Sequence, residues 1–259
     1  MFPNRYIENL TLAPLQRLDI AFETTLSAGT REISRVAGPL SDNLTAAVDG
    51  NALLSFVDGI TPQERDDVLF SVQLAIRGAS GAYDRFTQTE SWYKKYTEVL
   101  EHLGWTSEQF AFVRHDQQEG EVRMDQAALS LIAAIATQNQ LAVLKEAIQA
   151  LEKLADNDKT IRLFDFHTST QAGGNFQIGA VQASNNGTLA LALGAFHFKN
   201  HDTRRRVMFF KWGALQVEFW TAAQKLTFNT SIYAPLREAV QRKLGQEAQY
   251  FISELSISN

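Results

Sequence analysis

Between Leu189 and Lys199 the chain alternates Leu with Ala or Gly and then places Phe on every second residue, and this pattern constrains the fold more than any other. Side chains on a strand point to opposite faces in turn, so Leu189, Leu191 and Leu193 share one face. Ala190, Ala192 and Gly194 share the other, which Phe196 and Phe198 continue. The run before it splits in the same way, with Phe176, Ile178 and Ala180 against Gln177 and Gly179. Neither face is polar enough for water. An antiparallel sheet solvated on one side would alternate apolar with polar more cleanly, so helices are expected over both faces.

The surrounding segment, 161–228, breaks into apolar runs separated by turn residues. Read as strands, these are 161–169, 174–182, 188–199, 206–212 and 214–222. Asn185-Asn186-Gly187 suits a tight hairpin, because Asn and Gly tolerate positive φ. Short connections of this kind predict an antiparallel meander.

Helical signals lie mostly outside this segment. Thr61-Pro62-Gln63-Glu64 has the residue order of a capping box, followed by Val68, Leu69, Val72 and Ile76, with Gly78 as the stop. A second helix starts near Glu90 and carries Trp92, Tyr96, Val99, Leu100 and Leu103 to a cap at Gly104. Phe110–Val113 is β-prone. Residues 126–155 make two helices split at Thr137–Asn139, and Ser231 opens a last helix that ends at Gly245. The segment from Phe251 to Ile257 adds an edge strand or docks on the helices. Grouping helices before strands predicts an α+β fold, an antiparallel β-meander sheet covered by helices on both faces. One domain, 1–259, is expected. It comprises an irregular N-terminal arm (1–45), a mainly helical part (46–155), and the sheet with a C-terminal helix (156–259).

Composition narrows the function. A net charge of -5 and a pI of 5.6 argue against nucleic-acid binding by bulk electrostatics. With no Cys, disulfides, thiolate metal sites and a cysteine nucleophile are excluded. Residues 1–25 show no basic head followed by an apolar core, and no apolar run approaches the roughly 20 residues of a membrane span. The expected location is cytoplasmic, or secreted by a route that needs no cleavable signal peptide.

The candidate sites are few. His197 and His201 stand four apart, but on a strand and a turn, without the Glu of a metalloprotease helix, so solvated or hydrogen-bonded turn residues are the expectation and no metal or cofactor is predicted. Asp165, His167 and Ser169 follow one another on a presumed strand. A hydrolase could use His167 with Asp165 or Ser169, yet neighbours on one strand point parallel rather than toward a common atom. Gly173-Gly174 with Gly179 lacks the Lys-Ser/Thr of a phosphate loop. Lys199, Arg204, Arg205, Arg206 and Lys211 gather near one hairpin tip beside Phe209, Phe210 and Trp212, where they could contact lipid headgroups. The small face formed by Ala190, Ala192 and Gly194, with Phe196 and Phe198, is either closely packed or hollow enough for an apolar ligand. The expected function is non-catalytic binding of an apolar small molecule or lipid, or of a protein or membrane partner by peripheral contact. A hydrolase is the alternative. Nucleic acid is not an expected partner, and the sequence leaves oligomeric state open.

The stretches Trp92–Leu100 with Gly104-Trp105, Ala133–Ala136, Gly174–Ile178 and Tyr233…Arg237…Val240…Lys243-Leu244-Gly245 resemble a family of uncharacterised bacterial and fungal proteins over about residues 90–257. These motifs are structural. The resemblance implies a shared α+β fold and carries over no catalytic residue. In size and layout the chain is also similar to the Erwinia virulence factor, an acylated insect-gut colonisation protein, which implies a toxin or virulence association. That protein's lipid sits on a cysteine, and this chain has none.

Overall fold

The computed structural model describes residues 3–14, 45–107, 112–115, 121–170, 173–184, 186–199, 206, 208–209, 211–213, 218–245, 248, 251–255 and 257. The strands are β1 (Ala46–Asp49), β2 (Ala52–Phe56), β3 (Trp105–Ser107), β4 (Val113–His115), β5 (Glu121–Arg123), β6 (Ser169–Thr170), β7 (Gly173–Ala183), β8 (Leu189–Lys199), β9 (Lys211–Gly213), β10 (Glu218–Phe228) and β11 (Ile252–Leu255). The helices are α1 (Pro3–Asn9), α2 (Pro62–Ala82), α3 (Thr89–His102), α4 (Met124–Ala133), α5 (Gln138–Lys153), α6 (Lys159–Thr168), α7 (Thr230–Tyr233) and α8 (Arg237–Leu244).

Among the described residues one sheet runs β11-β1-β2-β7-β8-β10-β3, with β4 also on β10 and β6 on β7. The β7–β8 hairpin is as expected, turning at Gly187 with φ +78. The sheet as a whole is mixed and is not a simple meander. β2 lies parallel to β7, because the 56-to-173 connection passes through five helices before the chain returns beside it. The expected strand at 206–212 also fails to join the sheet. Among the described residues of that segment β9 forms, and it pairs with β5 in a separate two-stranded ribbon.

The expected strand at 161–169 is helix α6. Asp158 caps it, its Oδ1 accepting from Thr160 N at 2.7 Å. Ile161, Phe164 and Thr168, with Leu163 and His167, then fall on one buried helical face. Gly78 does not end α2, which continues to Ala82. It lies where the segment after α1 crosses: a Cβ there would stand 2.8 Å from Leu10, and one at Gly81 would stand 2.4 Å from Thr11 O. Of the N-terminal arm, α1 and the segment through 14 are described, with Ile7 and Leu10 buried; 15–44 lie outside the described residues.

Alternation along the strands feeds two cores. Leu189, Leu191 and Leu193 pack with Val68, Leu69, Val72 and Ile76 of α2, with α3 and with Val240 and Leu244 of α8. Phe176, Ile178, Ala192, Phe196 and Phe198 pack with α4, α5 and α6. Each large side chain so buried is worth about 1.5–3 kcal/mol of transfer free energy. Helix α2 is buried from Asp67 to Ala79. Among the described residues no helix is long and apolar enough to cross a membrane.

Candidate functional site

Strand register brings four side chains from distant parts of the chain into one row at the end of the sheet. Asn175 on β7 pairs with His197 on β8, His197 with Trp220 on β10, and Trp220 with Arg114 on β4. Period 2 places the row on the side of Leu191 and Leu193, the face covered by α2 and α3.

At the inner end Asn175 is fully buried. Its Oδ1 accepts from Tyr93 Oη at 3.0 Å and from Asn51 Nδ2 at 3.3 Å, while its Nδ2 donates to Arg85 O at 3.4 Å. These bonds fix the hairpin turn of β1–β2 and the α2–α3 connection to the sheet. His197, next outward, is 6% exposed. Burial, reinforced by neighbouring Lys199 and opposed by the Gly174 backbone, pulls its pKa down to about 4. The imidazole is therefore neutral at pH 7, and its Nδ1 is buried with no hydrogen-bond partner among the described residues.

At the outer end the ring of Trp220 lies 5.3 Å from that of His197. Two cations reach it, Lys199 Nζ at 5.3 Å and Arg114 Cζ at 5.7 Å from the ring centroid. Arg114 and Lys199 are exposed. A groove of about 690 Å³ runs from Trp220, Lys199 and His197 past Phe112 to the first turn of α3, with the Glu90 carboxylate also along it. Gln88, at the N-cap, gives that turn no side-chain acceptor; its Oε1 takes Asp84 N at 3.2 Å instead. The groove thus combines Lys199, an aromatic face and the positive end of a helix, with Arg114 beside it at the Trp220 ring, a set suited to an anion with an apolar attachment.

The residues singled out from sequence are dispersed by the fold. Lys199 belongs to this groove. Arg206 is turned to the other side of the molecule, where its Nη1 donates to Glu152 O at 2.7 Å, its Nη2 to Leu154 O and its Nε to Asp156, closing the C-terminal end of α5. Arg204, Arg205 and the side chain of Lys211 lie outside the described residues, as does His201.

Over the small face of β8, Ile132 of α4 lies so near Gly194 that an added Cβ would stand 3.1 Å away. Gln140 Nε2 donates to Ala190 O and Ala180 O there, at 3.0 and 2.9 Å. Ala192 is buried, Phe196 stacks on Phe176 at 4.9 Å, and the ring of Phe198 covers Gly174. Gly173 and Gly174 serve this close approach of strands, since a Cβ on Gly173 would meet Phe198 O at 2.1 Å.

Asp165, His167 and Ser169 do not converge. Asp165 Oδ2 accepts from Arg206 N at 2.9 Å, Ser169 Oγ donates to Asp165 O at 2.9 Å, and His167 lies against the ring of Phe251 at 4.6 Å. Trp220 and Arg114 had no signal in the sequence that would join them to Lys199. Only the register of three strands, across a connection of unreadable length, places them together.

No family model matches the chain, and no curated protein matches it. Among solved structures it is similar to a delta-endotoxin (TM-score 0.45, 12% identity, 80% of this chain and 96% of that one). It is also similar to the activated Cyt2Ba monomer from Bacillus thuringiensis subsp. israelensis (TM-score 0.42, 9% identity, 70% and 97%). The Evf virulence factor follows (TM-score 0.33, 12% identity, 85% and 88%). These neighbours include an endotoxin and a virulence factor, and the likeness is too distant to carry a function.

Proposed function

We propose that this protein is a peripheral binding protein that docks on anionic phospholipid surfaces through the groove at Trp220. The observation that supports this most is the pair of cations, Arg114 and Lys199, held over one indole beside a buried neutral histidine. Trp side chains favour the membrane–water boundary, and each basic residue near an anionic leaflet adds about 1 kcal/mol. With a net charge of -5 on the whole chain, this local basic group orients the protein on the surface; bulk charge does not attract it.

Vesicle flotation tests the reading. Wild-type protein should float with phosphatidylcholine vesicles containing one-third phosphatidylglycerol, and should not float with phosphatidylcholine alone. High salt and the double substitution Arg114→Glu, Lys199→Glu should each release it. Equal flotation with both vesicle types, or none with either, would count against the proposal.

A further inference from the structure

A second cavity, separate from the groove and across the α2–α3 connection from it, carries its own chemistry. It measures about 260 Å³ and lies between the C-terminal ends of α2 and α6, with Arg77, Ser80, Arg85, His167 and Phe251 among its walls. This falls below the roughly 300–1,000 Å³ typical of sites for drug-sized ligands, so its occupant is small.

Arg85 is the unusual wall. Its Nη2 donates to His167 O, and its guanidinium lies over the Phe86 ring at 4.8 Å. Its Nε is buried and has no hydrogen-bond partner among the described residues, nor does Arg85 form an ion pair among them. Burial draws its pKa down to about 10, which leaves it charged at pH 7. The guanidinium is half-buried, and among the described residues it has His167 O as an acceptor and the Asp84 charge nearby, which leaves its Nε unsatisfied. Asp84, the carboxylate on the cavity wall, is turned to its own loop, its Oδ1 accepting from Phe86 N at 2.7 Å and Thr87 N at 3.1 Å.

The other walls suit an anion. Arg77, 8% exposed, donates from Nη1 to Leu244 O at 3.2 Å and from Nη2 to Ala13 O at 3.5 Å, and it adds a second positive charge. Ser80 Oγ accepts from Trp92 Nε1 at 2.9 Å, which leaves its own proton to donate. His167, 5% exposed, offers a neutral imidazole.

We infer that this cavity is a binding site for a compact oxyanion of the phosphate type, with Arg85 as the principal ligand and Arg77 and Ser80 completing it. Phe86 borders both cavities, but Arg85, Arg77 and Ser80 do not line the groove, so the site does not depend on the membrane reading.

Titration calorimetry of the full chain with inorganic phosphate, at constant ionic strength, tests it. One phosphate should bind per chain. Arg85→Met, which keeps the stem and removes the charge, should weaken binding at least tenfold, while Arg114→Glu with Lys199→Glu should leave it unchanged. Absence of binding heat in wild type, equal affinity in Arg85→Met, or loss of binding in the groove variant would overturn the inference. Should Arg85→Met fail to fold, phenylglyoxal labelling of wild-type protein decides. Phosphate should slow modification of the Arg85 peptide at least fivefold, and an unchanged rate would overturn the site.

Discussion

Lowering the pH should destabilise this protein through His167 by an amount that can be worked out. The side chain is 5% exposed, packed on Phe251 and Phe166 and placed near Arg85. Burial first, and the Arg85 charge second, lower its pKa from 6.5 to about 3. The unfolded chain therefore binds a proton between these values that the folded chain refuses. Stability rises with pH wherever the unfolded state holds more protons, so this contribution is complete above pH 6.5 and is lost as pH falls toward 3. Between pH 7 and pH 5 the loss is about 2 kcal/mol, and the limiting loss at still lower pH is ~5 kcal/mol. Other groups titrate over the same range with the opposite sign. Asp66, raised to about 6, and Asp49, raised well above its ordinary value, are both shifted by burial and gain folding free energy as they take up protons. The test is therefore a difference. Urea denaturation of wild type and His167→Gln at pH 7, 6 and 5 should show the wild type losing about 2 kcal/mol more than the variant over that span. Parallel pH profiles would refute the argument, because they would mean that His167 titrates in the folded protein as it does in water.

Two further substitutions probe the packing. Asp67, 1% exposed on α2, receives Arg237 through both carboxylate oxygens, at 2.7 and 2.6 Å, and this pair ties α8 to α2. Arg237→Ala strands a buried carboxylate and should cost about 3 kcal/mol by urea denaturation, with Asp67→Asn in the same chain restoring part of the loss. A Cβ on Gly174 would stand 2.0 Å from the Phe198 ring, so Gly174→Ala should lower stability by about 1–3 kcal/mol, read from its thermal midpoint.

What the sequence made legible was local. The Thr61 capping box is present as expected, with Glu64 Oε2 accepting from Thr61 N at 2.9 Å, and Gly187 turns the β7–β8 hairpin. The α6 segment misleads because Ile161, Leu163 and His167 fit a period of 2 as well as one face of a helix; the capping Asp158 decides between them. β1 and β2 are four and five residues long, rich in Ala and Leu and short of β-branched residues, and the place of β2 beside β7 is a contact across more than a hundred residues. The site follows the same rule. Lys199 was visible as a cation near aromatics, but sequence proximity pointed to Trp212, whereas antiparallel register selects Trp220 and adds Arg114.

The central claim is that the outer end of the row, Trp220 with Lys199 and Arg114, meets an anionic surface. Hydrogen–deuterium exchange of the protein free and bound to phosphatidylglycerol-containing vesicles measures this most directly. Peptides covering 87–91, 113–115, 197–199 and 218–220 should be protected together, with α4 and α5 unchanged. Protection confined to the α4–α5 side, with those four segments exchanging as in the free protein, would contradict it.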